Sequence, residues 1–320
     1  MTKLPKLTEF QKKELSKLEP ALRRAAKSGE FKTAKRITLQ IQNLLRTTGH
    51  ETRLMQAKNW LFESALEAGQ VQTAISGFTG IIKKTNPQTR VNLEATALLA
   101  VCYLRNSEVG KAKPYIAETL KKSEKNIKSE SRKRQFKQRV VQRFKEEIAL
   151  VSLKSFSPEK LDNSEIHDEA GVVVQEKNED QIFSDLGHSI PKSTSDSILD
   201  INEFSKNLLP YEEKKLLPSP EEVQEKKQLG KTIFSAFQRV LWRSLCDQDS
   251  DLYKAWYKYG MGFVISKKYI SLAVISAMSG AQLGQKALAV SATAIAIKMG
   301  IETYCDAFKP KGLMIGRNEK

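Results

Sequence analysis

The chain has 320 residues, of which 40% are hydrophobic and 28% charged, and its formal net charge is +16. This composition is compatible with two domains that have ordinary globular cores, neither of which needs disulfide bonds to fold. The positive charge would attract nucleic acid, anionic lipid or an acidic protein, and it does not by itself choose among them.

Cysteine usage and the N-terminus both bear on the compartment. The three cysteines, Cys102, Cys246 and Cys305, are odd in number, widely separated and embedded in apolar-periodic stretches. This pattern argues against the disulfide framework of a secreted protein and predicts a reducing compartment. Residues 1–13 are polar and lysine-rich without an apolar run behind them, which argues against a secretory signal. We therefore expect a cytoplasmic protein.

A similar turn recurs three times in the first third of the chain, over residues 28–34, 68–74 and 106–112. Each turn ends in an alanine, follows one apolar-periodic run and begins another, which is typical of consecutive helical hairpins. The pattern predicts three hairpins, the first over residues 8–45, the second over 54–82 and the third over 91–120.

The third hairpin resembles a tetratricopeptide repeat over about residues 90–123. Leu99, Ala100 and Tyr103 on its first helix, and Ala112 and Ile116 on its second, stand at the spacing where that family packs large side chains against small ones. The resemblance implies a curved stack of hairpins whose concave face binds an extended peptide or a helix. It also implies that these residues belong to the scaffold and do not contact the partner.

A strongly basic stretch follows the hairpins. Residues 121–145 contain eleven basic and two acidic side chains, and residues 131–153 carry a helical apolar stripe. One interpretation is a capping helix whose outer face must be polar for solubility. The alternative is a surface that binds nucleic-acid phosphates or an acidic partner. Its candidate contact residues are Arg132, Lys133, Arg134, Lys137, Arg139 and Arg143.

An acidic, Ser-rich and Asn-rich segment comes next. Residues 158–203 contain twelve acidic and three basic side chains and lack helical periodicity. Such a composition buries too little apolar area to offset chain entropy, so it predicts a disordered acidic linker over residues 155–218. Short apolar islands, such as 172–174 and 182–183, leave open that the segment docks on the protein's own surface and covers the basic helix.

A C-terminal helical domain is predicted over residues 219–320. Ser219, Pro220 and Glu222 form a strong helix start, because serine caps, proline suits the first position and glutamate completes a capping box. An aromatic cluster that interleaves with lysine and arginine predicts either the rim of a core or a platform for nucleobases. Its members are Trp242, Tyr253, Trp256, Tyr257 and Tyr259.

Residues 269–297 carry one formal charge, Lys286, and are rich in alanine, serine and glycine. Gly280 and Gly284 have the GxxxG spacing that lets two helix backbones approach closely, so we expect them at a helix-packing contact. Polar residues interrupt the run and leave pieces shorter than the ~20 residues that cross a bilayer. Two buried helices are the favoured interpretation, and insertion into a membrane is the alternative.

No catalytic constellation, cofactor motif or metal-ligand spacing emerges from the sequence. The sequence thus predicts an all-α protein with a helical-hairpin solenoid (1–154), an acidic linker (155–218) and a C-terminal helical domain (219–320). Its predicted function is that of an interaction scaffold or adaptor that binds another protein, with possible self-association through the C-terminal domain. The alternatives are a nucleic-acid-associated protein that uses helix 121–145 and a membrane-acting effector that uses helices 269–297.

Overall fold

The computed structural model describes residues 5–156, 159–248, 250–309 and 313, and within them the fold is all-α, without strands. The chain divides into two compact units, one within residues 5–140 and the other within 141–309. The boundary between them falls inside the seventh helix. The first seven helices are α1 (Glu9–Ser28), α2 (Phe31–Leu45), α3 (Glu51–Glu67), α4 (Val71–Lys84), α5 (Arg90–Arg105), α6 (Val109–Asn126) and α7 (Glu130–Lys154).

The recurring turn has one backbone conformation in all three hairpins. Gly29, Gly69 and Ser107 each adopt a left-handed φ, of 70°, 78° and 63°. The next amide in each turn donates back to the carbonyl five residues earlier, as Glu30 N–H does to Ala25 O at 2.9 Å; the equivalent bonds at Gln70 and Glu108 are both 2.8 Å. This is the Schellman ending of a helix, which reverses the chain and starts the next helix.

The hairpins stack with their first helices side by side. In their first halves, Gln56 Nε2 on α3 donates to Glu94 Oε2 on α5 at 2.7 Å, and near their ends Arg105 Nη1 on α5 donates to Leu66 O on α3 at 2.6 Å. Because first half contacts first half and end contacts end, α3 and α5 run parallel. The apolar side chains of α1 and α2 form one continuous core with Ala57 of α3, which includes Leu15, Leu22, Ile37 and Ile41.

The third hairpin consists of two packed helices, α5 and α6. Leu99, Ala112 and Ile116 are buried, and the ring of Tyr103 stacks on Tyr115 with centroids 5.5 Å apart. These residues therefore have scaffold positions. The structure is compatible with a helical repeat, and α5 is buried along almost its whole length.

The second unit contains the predicted linker as folded structure. Its further helices are α8 (Asn163–Glu176), α9 (Glu179–Ser189), α10 (Lys192–Asn207), a 3-10 helix (Tyr211–Leu216), α11 (Pro220–Gln224), α12 (Lys226–Cys246), α13 (Asp251–Ser266), α14 (Tyr269–Gly280), α15 (Lys286–Met299) and α16 (Ile301–Ala307). Helix α9 packs on α12, and α8 packs on α15.

The prediction of a disordered linker over 155–218 is therefore wrong for helices α8 to α10. The apolar island at Ile182 is buried, and acidic side chains of the segment pair with lysines of the same unit. Asp180 pairs with Lys227 at 2.8 Å, and Lys286 pairs with Glu165 at 2.6 Å and with Glu169 at 2.5 Å. Composition alone does not reveal these partners, which lie far away in the sequence.

Helices α9 and α12 approach closely at two glycines. A methyl group on Gly187 would overlap the carbonyl oxygen of Lys226, and one on Gly230 would overlap the carbonyl oxygen of Phe183. The rings of Phe183 and Phe234 meet edge to face beside this crossing, with centroids 5.5 Å apart. Because backbone approaches backbone, only glycine fits at either position.

The predicted glycine contact at 280 and 284 is not formed. Gly280 is the last residue of α14, is exposed, and would have nothing within 4 Å of an added methyl group. Gly284 lies in the loop before α15, where its carbonyl accepts from Glu159 N–H at 2.9 Å. The favoured interpretation of two buried helices holds for α15, which is buried along most of its length, but not for α14, which buries five of its twelve residues and leaves Leu272 exposed.

Two of the three cysteines are joined. A disulfide links Cys246, at the end of α12, to Cys305 of α16, while Cys102 is a buried free thiol. The prediction that the cysteines stay reduced is wrong for this pair, because the fold brings together residues that are 59 positions apart. A stable disulfide is typical of oxidising compartments, so the cysteine argument for a cytoplasmic location no longer holds.

No helix in the described ranges is by itself long and apolar enough to cross a bilayer. Two bent pairs reach the required length and apolarity only in combination. They are Asp251–Ser266 with Tyr269–Gly280, and Lys286–Met299 with Ile301–Ala307.

Candidate functional site: a basic edge of the first unit

The hairpin stack brings three loops to one edge of the first unit. In each antiparallel hairpin the second helix ends beside the start of the first, as shown where Gln11 Nε2 donates to Leu44 O at 3.0 Å. Asn126 Nδ2, at the end of α6, donates to Pro87 O at 2.9 Å and to Thr89 O at 3.0 Å in the loop before α5. The ends of α2, α4 and α6 therefore lie along the same edge as the starts of α3, α5 and α7.

Eight basic side chains line this edge, and all are exposed. None of them forms an ion pair or a side-chain hydrogen bond with another described residue. We call this set the basic edge, and it consists of Arg46, Lys83, Lys84, Lys121, Lys125, Lys128, Arg132 and Arg134. Cations without a counter-charge, held on adjacent helix ends, form a surface that attracts a polyanion.

The carboxylates near the basic edge are occupied by other lysines. Glu124 pairs with Lys133 at 3.1 Å and with Lys137, while Glu130 pairs with Lys133 at 2.7 Å. Burial acts to raise the pKa of Glu124, but hydrogen bonds from Lys137 and Lys133 outweigh it and hold that pKa below its usual value. Glu124 therefore stays ionised and neutralises buried lysines, so that its charge does not cancel the exposed ones.

The opposite edge of the stack has a different charge arrangement. There Arg105 pairs with Glu67 at 3.2 Å, and Lys111 pairs with Glu108. The hydrogen bond from Lys111 is the largest influence on Glu108 and lowers its pKa. Part of the charge at the opposite edge is therefore neutralised by ion pairs, although Lys32 at the start of α2 is exposed there without an ion-pair partner among the described residues.

The sequence-predicted contact residues separate into two groups. Arg132 and Arg134 are exposed on the basic edge, and Arg139 is half-buried. Lys133 and Lys137 are buried against Glu124, while Arg143 is buried in the second unit with Glu147 at 2.8 Å. Half of the predicted set is therefore used in internal ion pairs.

Arg46, Lys83 and Lys84 were not among the predicted contact residues because they lie far from residues 121–145 in the chain. The sequence nevertheless contains a pattern that predicts their position at this edge. Each follows or ends the second helix of a hairpin, so the recurring turn pattern places them at the same edge as Lys121 and Lys125.

A second polar cluster lies inside the second unit, around Glu146 of α7. Ser235 Oγ donates to Glu146 Oε1 at 2.6 Å, Gln142 Nε2 donates to the same oxygen at 3.3 Å, and Arg239 pairs with Glu146 Oε2. Burial is the main influence on this carboxyl and raises its pKa to about 7. The group therefore titrates near neutral pH.

Beside this cluster is a cavity of about 470 Å³, whose lining includes Lys145, Thr232 and Ser235. Lys145 is only 6% exposed, and burial lowers the pKa of its amine. Exposed Glu222 and Glu225 also line the cavity. The charges of the cavity are thus mixed, unlike the single sign of the basic edge.

Within the described residues, no group of three or more His, Cys, Asp or Glu side chains could hold a metal ion. Comparisons with protein-family models, with curated proteins and with solved structures found no match to the chain. The likeness of the third hairpin to tetratricopeptide repeats therefore stays a resemblance. The described residues form an all-α protein of two compact units, and the eight cations of the basic edge have no ion-pair partners among them.

Proposed function

We propose that this protein acts by binding and assembly, and that its first unit binds the phosphate backbone of a nucleic acid along the basic edge. The observation that supports this most directly is the row of eight exposed cations without ion-pair partners among the described residues. Phosphate contacts of this kind supply affinity that does not depend on sequence.

The surroundings of the basic edge favour a nucleic acid over a protein partner. Stable protein interfaces depend on buried aromatic and apolar anchors. Among the described residues of the first unit, the large exposed hydrophobic side chains are Phe10, in the first turn of α1, and Leu39 of α2, and neither belongs to the ends of α4 or α6, where most of the lysines lie. A phosphate backbone needs only the cations.

Groove binding of a peptide, which the repeat resemblance implies, has less to support it. The helix that would line the groove in the third hairpin is α5, and it offers few exposed side chains. An acidic protein segment on the basic edge is the competing partner. Protein scaffolding stays a prediction. Binding measurements on the basic edge separate a nucleic-acid partner from an acidic protein partner.

The test is fluorescence anisotropy of the full chain with a labelled random-sequence DNA duplex at several salt concentrations. If all eight cations contact phosphates, the logarithm of affinity should fall with the logarithm of salt with a slope approaching about −7. Replacing two lysines, as Lys83→Ala/Lys84→Ala, should weaken binding and reduce the slope by about 2.

The matched control is Lys32→Ala/Lys35→Ala. These two lysines are also exposed and have no ion-pair partner among the described residues, they lie near the start of α2 and therefore toward the opposite edge, and their removal gives the same change in net charge. The control should bind as the parent does. Equal losses in both variants would indicate a general charge effect, and absence of binding at low salt would refute the proposal and leave an acidic protein partner to be sought by co-purification.

A further inference from the structure

Helix α13 presents an exposed surface of aromatic and lysine side chains in the second unit. Tyr257 is 82% exposed and Tyr259 is 53% exposed, and Lys254 and Lys258 are exposed beside them. The same helix buries Leu252, Ala255 and Val264 on its other side. The helix is therefore held by these buried residues and leaves two large rings and two lysines in solvent.

The row of rings continues past a bend in the helix. Gly260 has φ 79° and ψ 175°, which breaks the helical path between Tyr259 and the next turn. The ring centroid of Phe263 lies 4.5 Å from that of Tyr259 and 6.1 Å from that of Tyr269 on α14. A little further along α14, Leu272 is 51% exposed. Partly or largely exposed apolar side chains thus continue from α13 across the bend and into the start of α14.

The charge of this surface is positive. Between Asp251 and Leu272 the chain has four lysines and one carboxylate, Asp251 itself. Lys268 pairs with Asp168, whereas Lys254 and Lys267 have no ion-pair partner in the described residues. Lys258 Nζ lies 4.8 Å from the ring centroid of Tyr259. The lysines therefore border the rings and lie within the same surface.

We propose that this aromatic and lysine surface, residues 253–272, docks onto an anionic membrane surface. Tyrosine and tryptophan rings place their apolar bodies at the level of the headgroups with their polar tips in water, and lysine stems extend toward lipid phosphates. An amphipathic helix with this composition lies in the plane of the interface and does not cross it. The positive charge complements anionic lipid.

The arrangement of the rings disfavours a nucleic acid at this position. Tyr253 and Trp256 meet edge to face at 5.2 Å, and Phe263 occupies the space between Tyr259 and Tyr269. Bases stack on open ring faces, and five of the six rings over residues 253–269 contact another ring, Tyr257 being the exception. Trp242, which the sequence groups with this cluster, lies on α12 and donates its indole N–H to Cys305 O at 3.0 Å.

The test is co-sedimentation of the full chain with phosphatidylcholine vesicles, with and without about 30% phosphatidylserine. The parent should bind the anionic vesicles and not the neutral ones. Two variants, Tyr257→Ala/Tyr259→Ala and Lys254→Glu/Lys258→Glu, should each lower the partition coefficient about tenfold or more. All four side chains are exposed, so the variants should keep the far-ultraviolet circular dichroism of the parent.

The chain offers a matched control. Tyr211 is 85% exposed on the 3-10 helix, where two glutamates and two lysines leave no net positive charge, so Tyr211→Ala should bind vesicles as the parent does. No binding of the parent to anionic vesicles would overturn the proposal. So would binding that survives both α13 variants and is lost in Lys83→Ala/Lys84→Ala, because the basic edge would then be the lipid contact. If the tyrosine variant loses DNA binding and keeps vesicle binding, the rings serve nucleobases and the proposal also fails.

Discussion

Replacing Gly187 by alanine tests whether the acidic segment is a packed part of the second unit. The added methyl would overlap Lys226 O and lie 2.6 Å from the Lys226 carbonyl carbon, where nonbonded carbons prefer about 3.5–4.0 Å. Helix α9 would have to move about 1 Å away from α12. The obstacle is backbone, so it cannot rotate aside as a side chain could.

The size of the effect follows from two opposing contributions. Overpacking of this kind costs about 1–3 kcal/mol. Alanine in place of glycine inside a helix returns up to about 1 kcal/mol. Because separation of the helices also disturbs buried Ile182 and Leu186, we expect the free energy of unfolding to fall by about 2 kcal/mol.

Urea unfolding followed by circular dichroism measures this change, and the midpoint should shift down at an unchanged slope. Gly171→Ala is the matched control, because Gly171 lies within α8 and has nothing within 4 Å of an added methyl group. The control should gain up to about 1 kcal/mol. If Gly187→Ala is as stable as Gly171→Ala, α9 does not pack on α12, and the segment is the flexible linker that its composition predicts.

Two further predictions concern buried chemistry of the second unit. Burial raises the pKa of Glu146 to about 7, so the folded state holds this proton more tightly than the unfolded state. The stabilisation that results is complete below about pH 4.5 and is lost as the pH rises through 7, which lowers the free energy of unfolding by up to about 3 kcal/mol. In Glu146→Gln this pH-dependent loss should be absent when urea titrations at pH 4.5 and pH 8 are compared. An identical pH dependence in the variant would contradict the assignment. The Cys246–Cys305 disulfide closes a span of 59 residues, so its reduction should lower the free energy of unfolding by about 4 kcal/mol. The measurement is the midpoint of thermal unfolding, which should fall on reduction and fall equally in Cys246→Ser/Cys305→Ser. A midpoint unchanged by reductant would show that the bond is not formed in solution.

The sequence alone predicted the local structure well. The turn around Gly29 recurs at Gly69 and at Ser107, and all three adopt the same helix ending because its hydrogen bonds join residues at most five positions apart. The helix start at Ser219 has the predicted capping box, with Glu222 N–H donating to the serine hydroxyl. Caps and turns of this kind depend on a few neighbouring side chains, so the sequence contains everything that specifies them.

Only the tertiary structure decided which charges are available and which small residues matter. Lys137 and Arg132 are five positions apart in one basic run, yet the first is buried against Glu124 and the second is exposed. Gly280 has a known packing spacing, yet a methyl group added there would meet nothing within 4 Å, whereas Gly187 and Gly230 are 43 residues apart in the chain and meet at a helix crossing. Burial, ion pairing and close approach are set by residues that are distant in the chain, and their free energies depend on a three-dimensional arrangement that no local pattern contains.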